Sequence, residues 1–171
     1  SSSVKQAQPA RSIAAARAFY EALFGWEGED QGEDAGHYTM ERIRGLDVAA
    51  ISPQYQEGAP PSWTTYITVD DADATSIRIT DGGGTVLAPA FDVFDMGRMA
   101  VAQDPTGAFF SIWQPRAHIG ARLVNEPGTL TWNELATRGF DAAAEFYATV
   151  FGWTYNEITF DGARYNEIQV D

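Results

Sequence analysis

One eight-residue pattern occurs twice in this chain. Phe19-Tyr20-Glu21-Ala22-Leu23-Phe24-Gly25-Trp26 returns as Phe146-Tyr147-Ala148-Thr149-Val150-Phe151-Gly152-Trp153, and this repetition limits the possible folds more than any other feature. In both copies an alanine-rich lead-in precedes aromatic and aliphatic side chains spaced three and four apart, which line one side of a helix. Gly25 and Gly152 directly follow the last apolar residue, where a helix ends most easily in the left-handed conformation, and a tryptophan opens the next segment. The repeating unit is a helix, a glycine stop and a strand. These eight positions read as a packing motif, so chemistry has to be sought elsewhere.

The repeat sits in 171 residues, enough to bury a substantial core. No apolar run is long enough to cross a bilayer, and Ser1 to Ala10 lacks the apolar centre of a signal peptide, so a cytoplasmic location is expected. The chain has no cysteine, which excludes disulfides and thiolate metal sites. A net charge of −13 repels phosphate backbones and anionic headgroups, so neither nucleic acid nor a membrane surface is expected as a partner.

Residues 1–10 are polar, contain Pro9 and do not alternate, and read as a flexible arm. Ser12 is a candidate N-cap for a helix over Ile13 to Phe24. Glu27 to Asp34 carries five carboxylates among glycines and reads as a solvated loop rather than a cation site. Tyr38 to Ile43 and Leu46 to Ile51, joined by Arg44-Gly45, predict a hairpin, and Pro53 to Pro61 a connection. Trp63 to Val69 predicts a strand. A second helix follows, led by Asp70 to Asp73, running through Ala74 to Thr80 and stopped by Gly82-Gly83-Gly84. Because that glycine cluster ends a helix instead of starting one, nucleotide binding is rejected. Thr85 to Leu87, Met99 to Gln103 and Ala108 to Trp113 predict strands, the last two joined by an Asp104-Pro105-Thr106-Gly107 turn. Residues 116–127 read as a linker. The pattern then restarts with a strand over Thr129 to Thr137, a helix over Asp141 to Phe151, and a hairpin turning at Asp161-Gly162.

Repeated strand-helix-strands units, a helix ending Phe-Tyr-x-x-x-Phe-Gly-Trp and an Asp-Pro-Thr-Gly turn before an apolar strand together resemble the vicinal oxygen chelate superfamily, which includes glyoxalase I, bleomycin-resistance proteins and extradiol dioxygenases. Trp132-Asn133-Glu134-Leu135 and Phe110 to Pro115, matching Phe-x-x-Trp-Gln-Pro, are similar to motifs of actinobacterial glyoxalase-like tandem proteins. The resemblance implies an α+β fold in which tandem βαβββ modules form a curved mixed sheet with helices on the convex face. It divides the chain into a glyoxalase-like domain over residues 11–115, with a first module lacking its opening strand and a full second module, and a partial third module (β-α-β-β) over 128–171. The third module would complete the first, within the chain or as a domain-swapped homodimer; a chain that ends early with an unpaired tail is the competing expectation.

The family places metal ligands on the first and last strands of each module. The positions that match here are Thr64, Trp132 and Ser111, none of which supplies a charged or imidazole donor, so no metal or other cofactor is expected. His37 and His118 read as surface residues. Alternation instead places Thr64, Tyr66, Ser111, Trp113, Trp132 and Glu134 on the concave face, an aromatic lining suited to a flat, partly apolar small molecule. Glu134 is the catalytic candidate, a carboxylate expected to be desolvated beside two tryptophans; the competing role is a strand anchor. The expected function is therefore small-molecule binding. The alternative is a glyoxalase-like lyase or isomerase, or a dioxygenase, which would require a divalent metal.

Overall fold

The computed structural model describes residues 13–54 and 60–170. The arm, the Ser12 cap and the question of an opening strand before Ile13 lie outside the described residues. The chain divides into two compact units, one built from the first helix and hairpin together with Ile119–Trp132, the other from Ser62–His118 together with the stretch from Asn133 onward.

In the first unit, α1 (Ile13–Phe24) ends at Gly25, whose φ of +70° lets its N–H close back on Glu21 O at 2.8 Å. Strands β1 (Glu27–Asp30), β2 (Thr39–Ile43) and β3 (Leu46–Ile51) form an antiparallel sheet in that order, with a 3₁₀ turn at Glu33–Ala35. The β2–β3 hairpin turns through Arg44 and Gly45, both at positive φ. Glu27 to Asp30, expected to be loop, is strand. It is the edge of the sheet, where backbone pairing with β2 suffices and charged side chains project into solvent. Arg42 offsets their repulsion by bridging Glu29 and Asp47.

In the second unit, β4 (Tyr66–Thr68), α2 (Ala72–Asp81), β5 (Thr85–Val93), β6 (Gly97–Gln103) and β7 (Phe109–Pro115) make a complete strand-helix-three-strand module. The sheet order is β4-β7-β6-β5, with β4 parallel to β7 and the other pairs antiparallel. Asp71 caps α2 by accepting from Ala74 N at 2.9 Å. β4 is shorter than Trp63 to Val69, because only its centre pairs with β7. β5 runs beyond Leu87 and through Pro89; it is an edge strand whose register shifts between Ala88 and Phe91 accommodate the missing N–H.

The second copy of the repeat is α3 (Phe140–Phe151), followed by the hairpin β8 (Thr154–Phe160) and β9 (Ala163–Gln169). Ala143, Phe146, Tyr147 and Val150 of α3 join Ala72 and Ile79 of α2 and Ala100, Ala102, Phe110 and Ile112 of the sheet in one apolar core. Two helices thus cover one face of the four-stranded sheet. Thr129 to Thr137 forms no strand, contrary to expectation: no ladder partner stands beside it among the described residues, and Leu130, Trp132 and Leu135 remain exposed.

Candidate functional site

Strand alternation determines what the other face of the sheet offers. Phe110, Ile112, Ala100, Ala102 and Ile67 point into the helix-covered core, so Phe109, Ser111 and Trp113 of β7, Tyr66 and Thr68 of β4, and Met99 and Val101 of β6 lie on the opposite face. The parallel β4–β7 pairing sets Tyr66 opposite Ser111 and Thr68 opposite Trp113.

The Tyr66 and Trp113 rings meet edge to face with centroids 6.5 Å apart. Tyr66 is 51% exposed, whereas Trp113 is buried, with Nε1 donating to His118 O at 2.8 Å. Gly97 makes room for the indole, since a β-carbon there would come within 2.4 Å of the ring. The His118 ring packs against the same indole. Trp113 is therefore a fixed wall and Tyr66 the accessible ring. Ser111 is buried and paired in register with Tyr66, Phe109 and Phe91 are exposed, and this face of the sheet carries an aromatic patch.

Other expected site residues lie elsewhere. Thr64 is exposed and precedes the paired part of β4. Trp132, exposed, belongs to the first unit, whereas Glu134 belongs to the second. Glu134 is exposed, not desolvated as its neighbours in sequence implied, and its Oε2 accepts from the Tyr165 hydroxyl at 3.3 Å. The matched positions bring two hydroxyls and an indole, a donor set that does not fit a divalent cation. Among the described residues no three His, Asp or Glu side chains converge on a point.

Sequence reasoning missed one buried ionisable group. Glu41, on β2 beneath α1, is 2% exposed, and its Oε1 has no hydrogen-bond partner among the described residues. Burial pushes its carboxyl above the ordinary range; Arg17 draws it down and Glu21 adds to the rise. The signal was the charge itself, placed where the helix-facing alternation of Thr39 and Glu41 calls for apolar residues.

An α+β chain of βαβββ build, with an aromatic face opposite its helices, defines the class. Residues 6–112 match the profile of the Glyoxalase/Bleomycin resistance protein/Dioxygenase superfamily, and the chain belongs to that superfamily. Among its relatives is "Putative glyoxylase CFP32" of Mycobacterium tuberculosis, 49% identical over 149 residues, covering 84% of this chain and 57% of the relative. "Anthracycline biosynthesis protein DnrV" of Streptomyces peucetius is 39% identical over 157 residues, covering 82% of this chain and 56% of that protein. The chain thus spans little more than half the length of these relatives. A crystal structure of a glyoxalase/bleomycin resistance protein/dioxygenase family enzyme from Burkholderia phytofirmans PsJN superposes at 19% identity with a TM-score of 0.28, covering 60% of this chain and 90% of that one, a likeness too slight to carry weight. No helix among the described residues is long and apolar enough to cross a membrane.

Proposed function

We propose that this chain binds a flat, partly apolar small molecule against the helix-free face of its four-stranded sheet. The observation that carries this reading is the half-exposed Tyr66 ring braced edge to face on the immobilised Trp113 and paired in register with Ser111. An exposed ring on a rigid support offers stacking area at low entropic cost, and the exposed hydroxyl of Thr68 offers orientation. The name of the Streptomyces peucetius relative supports a fused-ring ligand, because anthracyclines are planar polycycles. Glu134, held by Tyr165, takes the role of an anchor. Titration with an anthracycline aglycone, followed by quenching of tryptophan fluorescence, tests the reading. Saturable binding that Tyr66→Ala weakens supports it; binding unchanged by Tyr66→Ala removes the site.

A glyoxalase-like lyase using a divalent metal is the second reading, favoured by the name of the Mycobacterium relative. Elemental analysis of the purified protein decides between them, since stoichiometric zinc, nickel or iron would favour the lyase.

A further inference from the structure

The sheet register carries the aromatic patch beyond the Tyr66–Trp113 pair and across all four strands. Phe91 of β5 stands opposite Met99 of β6, Met99 opposite Trp113 of β7, and Trp113 opposite Thr68 of β4. Paired residues share a face, so these four side chains form one row on the side away from the helices. An independent contact fixes the direction of Phe91. Asp92, the next residue, binds Arg98, and Arg98 also holds Asp73 in the first turn of α2. That side belongs to the helices, and alternation turns Phe91 the other way. Val101, Ser111 and Tyr66 make the neighbouring row.

Phe91 and Tyr66 are 46% and 51% exposed and stand at opposite edges of the sheet, whereas Trp113 is buried and Met99 and Val101 are half-buried between them. A low apolar floor therefore runs between two accessible rings. Three strand spacings, about 14 Å, separate β5 from β4. One or two fused rings stacked on Tyr66 end over Trp113 and Met99; three or four reach Phe91 as well. The floor also selects on charge. Among the described residues, every side chain on this face of the four strands is uncharged, its polar groups being hydroxyls and the amide of Gln103. A charged ring substituent held against it would lose hydration and gain no partner.

We infer that Phe91 sets the length of the ligand: this face takes an uncharged plane of three or four fused rings, lying across the strands from Tyr66 to Phe91 with the Met99 thioether beneath it. The inference rests on the binding reading proposed above for Tyr66 and adds ring count, charge and a second stacking contact to it. Met99 suits the floor, since its sulfur packs favourably on aromatic rings and its unbranched side chain adjusts to their outline.

Two hydroxylated quinones test the inference through quenching of tryptophan fluorescence: naphthazarin, with two rings, and an anthracycline aglycone, with four. Phe91→Ala is expected to weaken the four-ring probe by about 10-fold, the value of one lost stacking contact, and to leave the two-ring probe within about twofold. Tyr66→Ala should weaken both. If Phe91→Ala does not fold, Phe91→Leu decides by the same comparison. Equal effects of the Phe91 substitution on the two probes, including none on either, overturn the length assignment, while a loss in Tyr66→Ala leaves the site itself standing. Binding of neither probe by the wild type overturns both this inference and the reading beneath it. Quinizarin and its ring sulfonate test the charge requirement in high salt, which screens the net charge of the chain. The sulfonate should bind more weakly, and equal affinity overturns the uncharged requirement.

Discussion

The Tyr147 hydroxyl donates to Asp104 Oδ2 at 3.2 Å, fastening α3 to the turn that precedes β7. The other oxygen of the same carboxylate organises the turn itself, accepting from Thr106 N, Thr106 Oγ1 and Ala108 N at 2.8, 2.8 and 3.0 Å. One buried aspartate therefore shapes the Asp-Pro-Thr-Gly turn and holds the helix of the repeat. Burial, reinforced by the Asp104 charge, raises the pKa of the Tyr147 phenol.

Removing the hydroxyl leaves a buried carboxylate oxygen without its donor, so Tyr147→Phe should cost about 1–3 kcal/mol in urea unfolding. In an ultraviolet titration of the native protein, Tyr147 and Tyr155, both raised by burial, should ionise late, and Tyr147→Phe should reduce that late-ionising amplitude by one tyrosine. A variant as stable as wild type would show the contact to be incidental.

The repeat allows the same substitution to be compared in two settings. Phe146→Ala removes a ring packed between α2 and Phe110 and should cost about 3–5 kcal/mol. Phe19→Ala, at the matching position, should change stability by less than about 0.5 kcal/mol, because that ring is exposed. Similar losses in chemical denaturation would mean that α1 is packed much as α3 is.

The helices and both hairpins were legible because their signals are local: three-and-four periodicity, a left-handed glycine stop, and turn residues at Arg44-Gly45 and Asp161-Gly162. The misread segments are those whose state depends on a neighbour. Glu27 to Asp30 carries no apolar alternation, yet becomes a strand because β2 offers it a ladder. Thr129 to Thr137 has strand composition and no ladder among the described residues. At the candidate site, alternation correctly put Tyr66, Ser111 and Trp113 on one face. It could not show that the Trp113 N–H is already engaged by His118 O, or that Glu134 is solvated, because both depend on chain distant from the strand pair.

For ligand binding, Tyr66→Ala should weaken affinity for a fused-ring aromatic probe by about 10-fold, the value of one stacking contact of about 1.4 kcal/mol. Glu134→Gln should leave that affinity within about twofold, since an exposed carboxylate held by Tyr165 contributes little to an apolar ligand. Calorimetric titration of both variants checks the pair. A large loss in Glu134→Gln would return that residue to the site.

Glu41 predicts an unusual pH response. A carboxyl whose pKa is higher in the folded than in the unfolded state binds its proton more tightly when folded, so between the two pKa values the native protein carries the extra proton and stability falls as pH rises. The contribution is fully present below the unfolded pKa and is lost as pH climbs through the raised folded value. Glu41→Gln keeps the shape and removes the charge. The variant and wild type should therefore have similar stability near pH 4, and the variant should become the more stable of the two as pH rises toward 7. Arg17 opposes this outcome: its guanidinium, which donates Nη2 to Gly28 O at 2.9 Å, also attracts the Glu41 carboxylate. Because burial is the largest influence on Glu41, the desolvation cost should win. Urea unfolding of both proteins from pH 4 to 8 checks the sign, and a variant that grows less stable than wild type as pH rises would make the Arg17 attraction the stronger force.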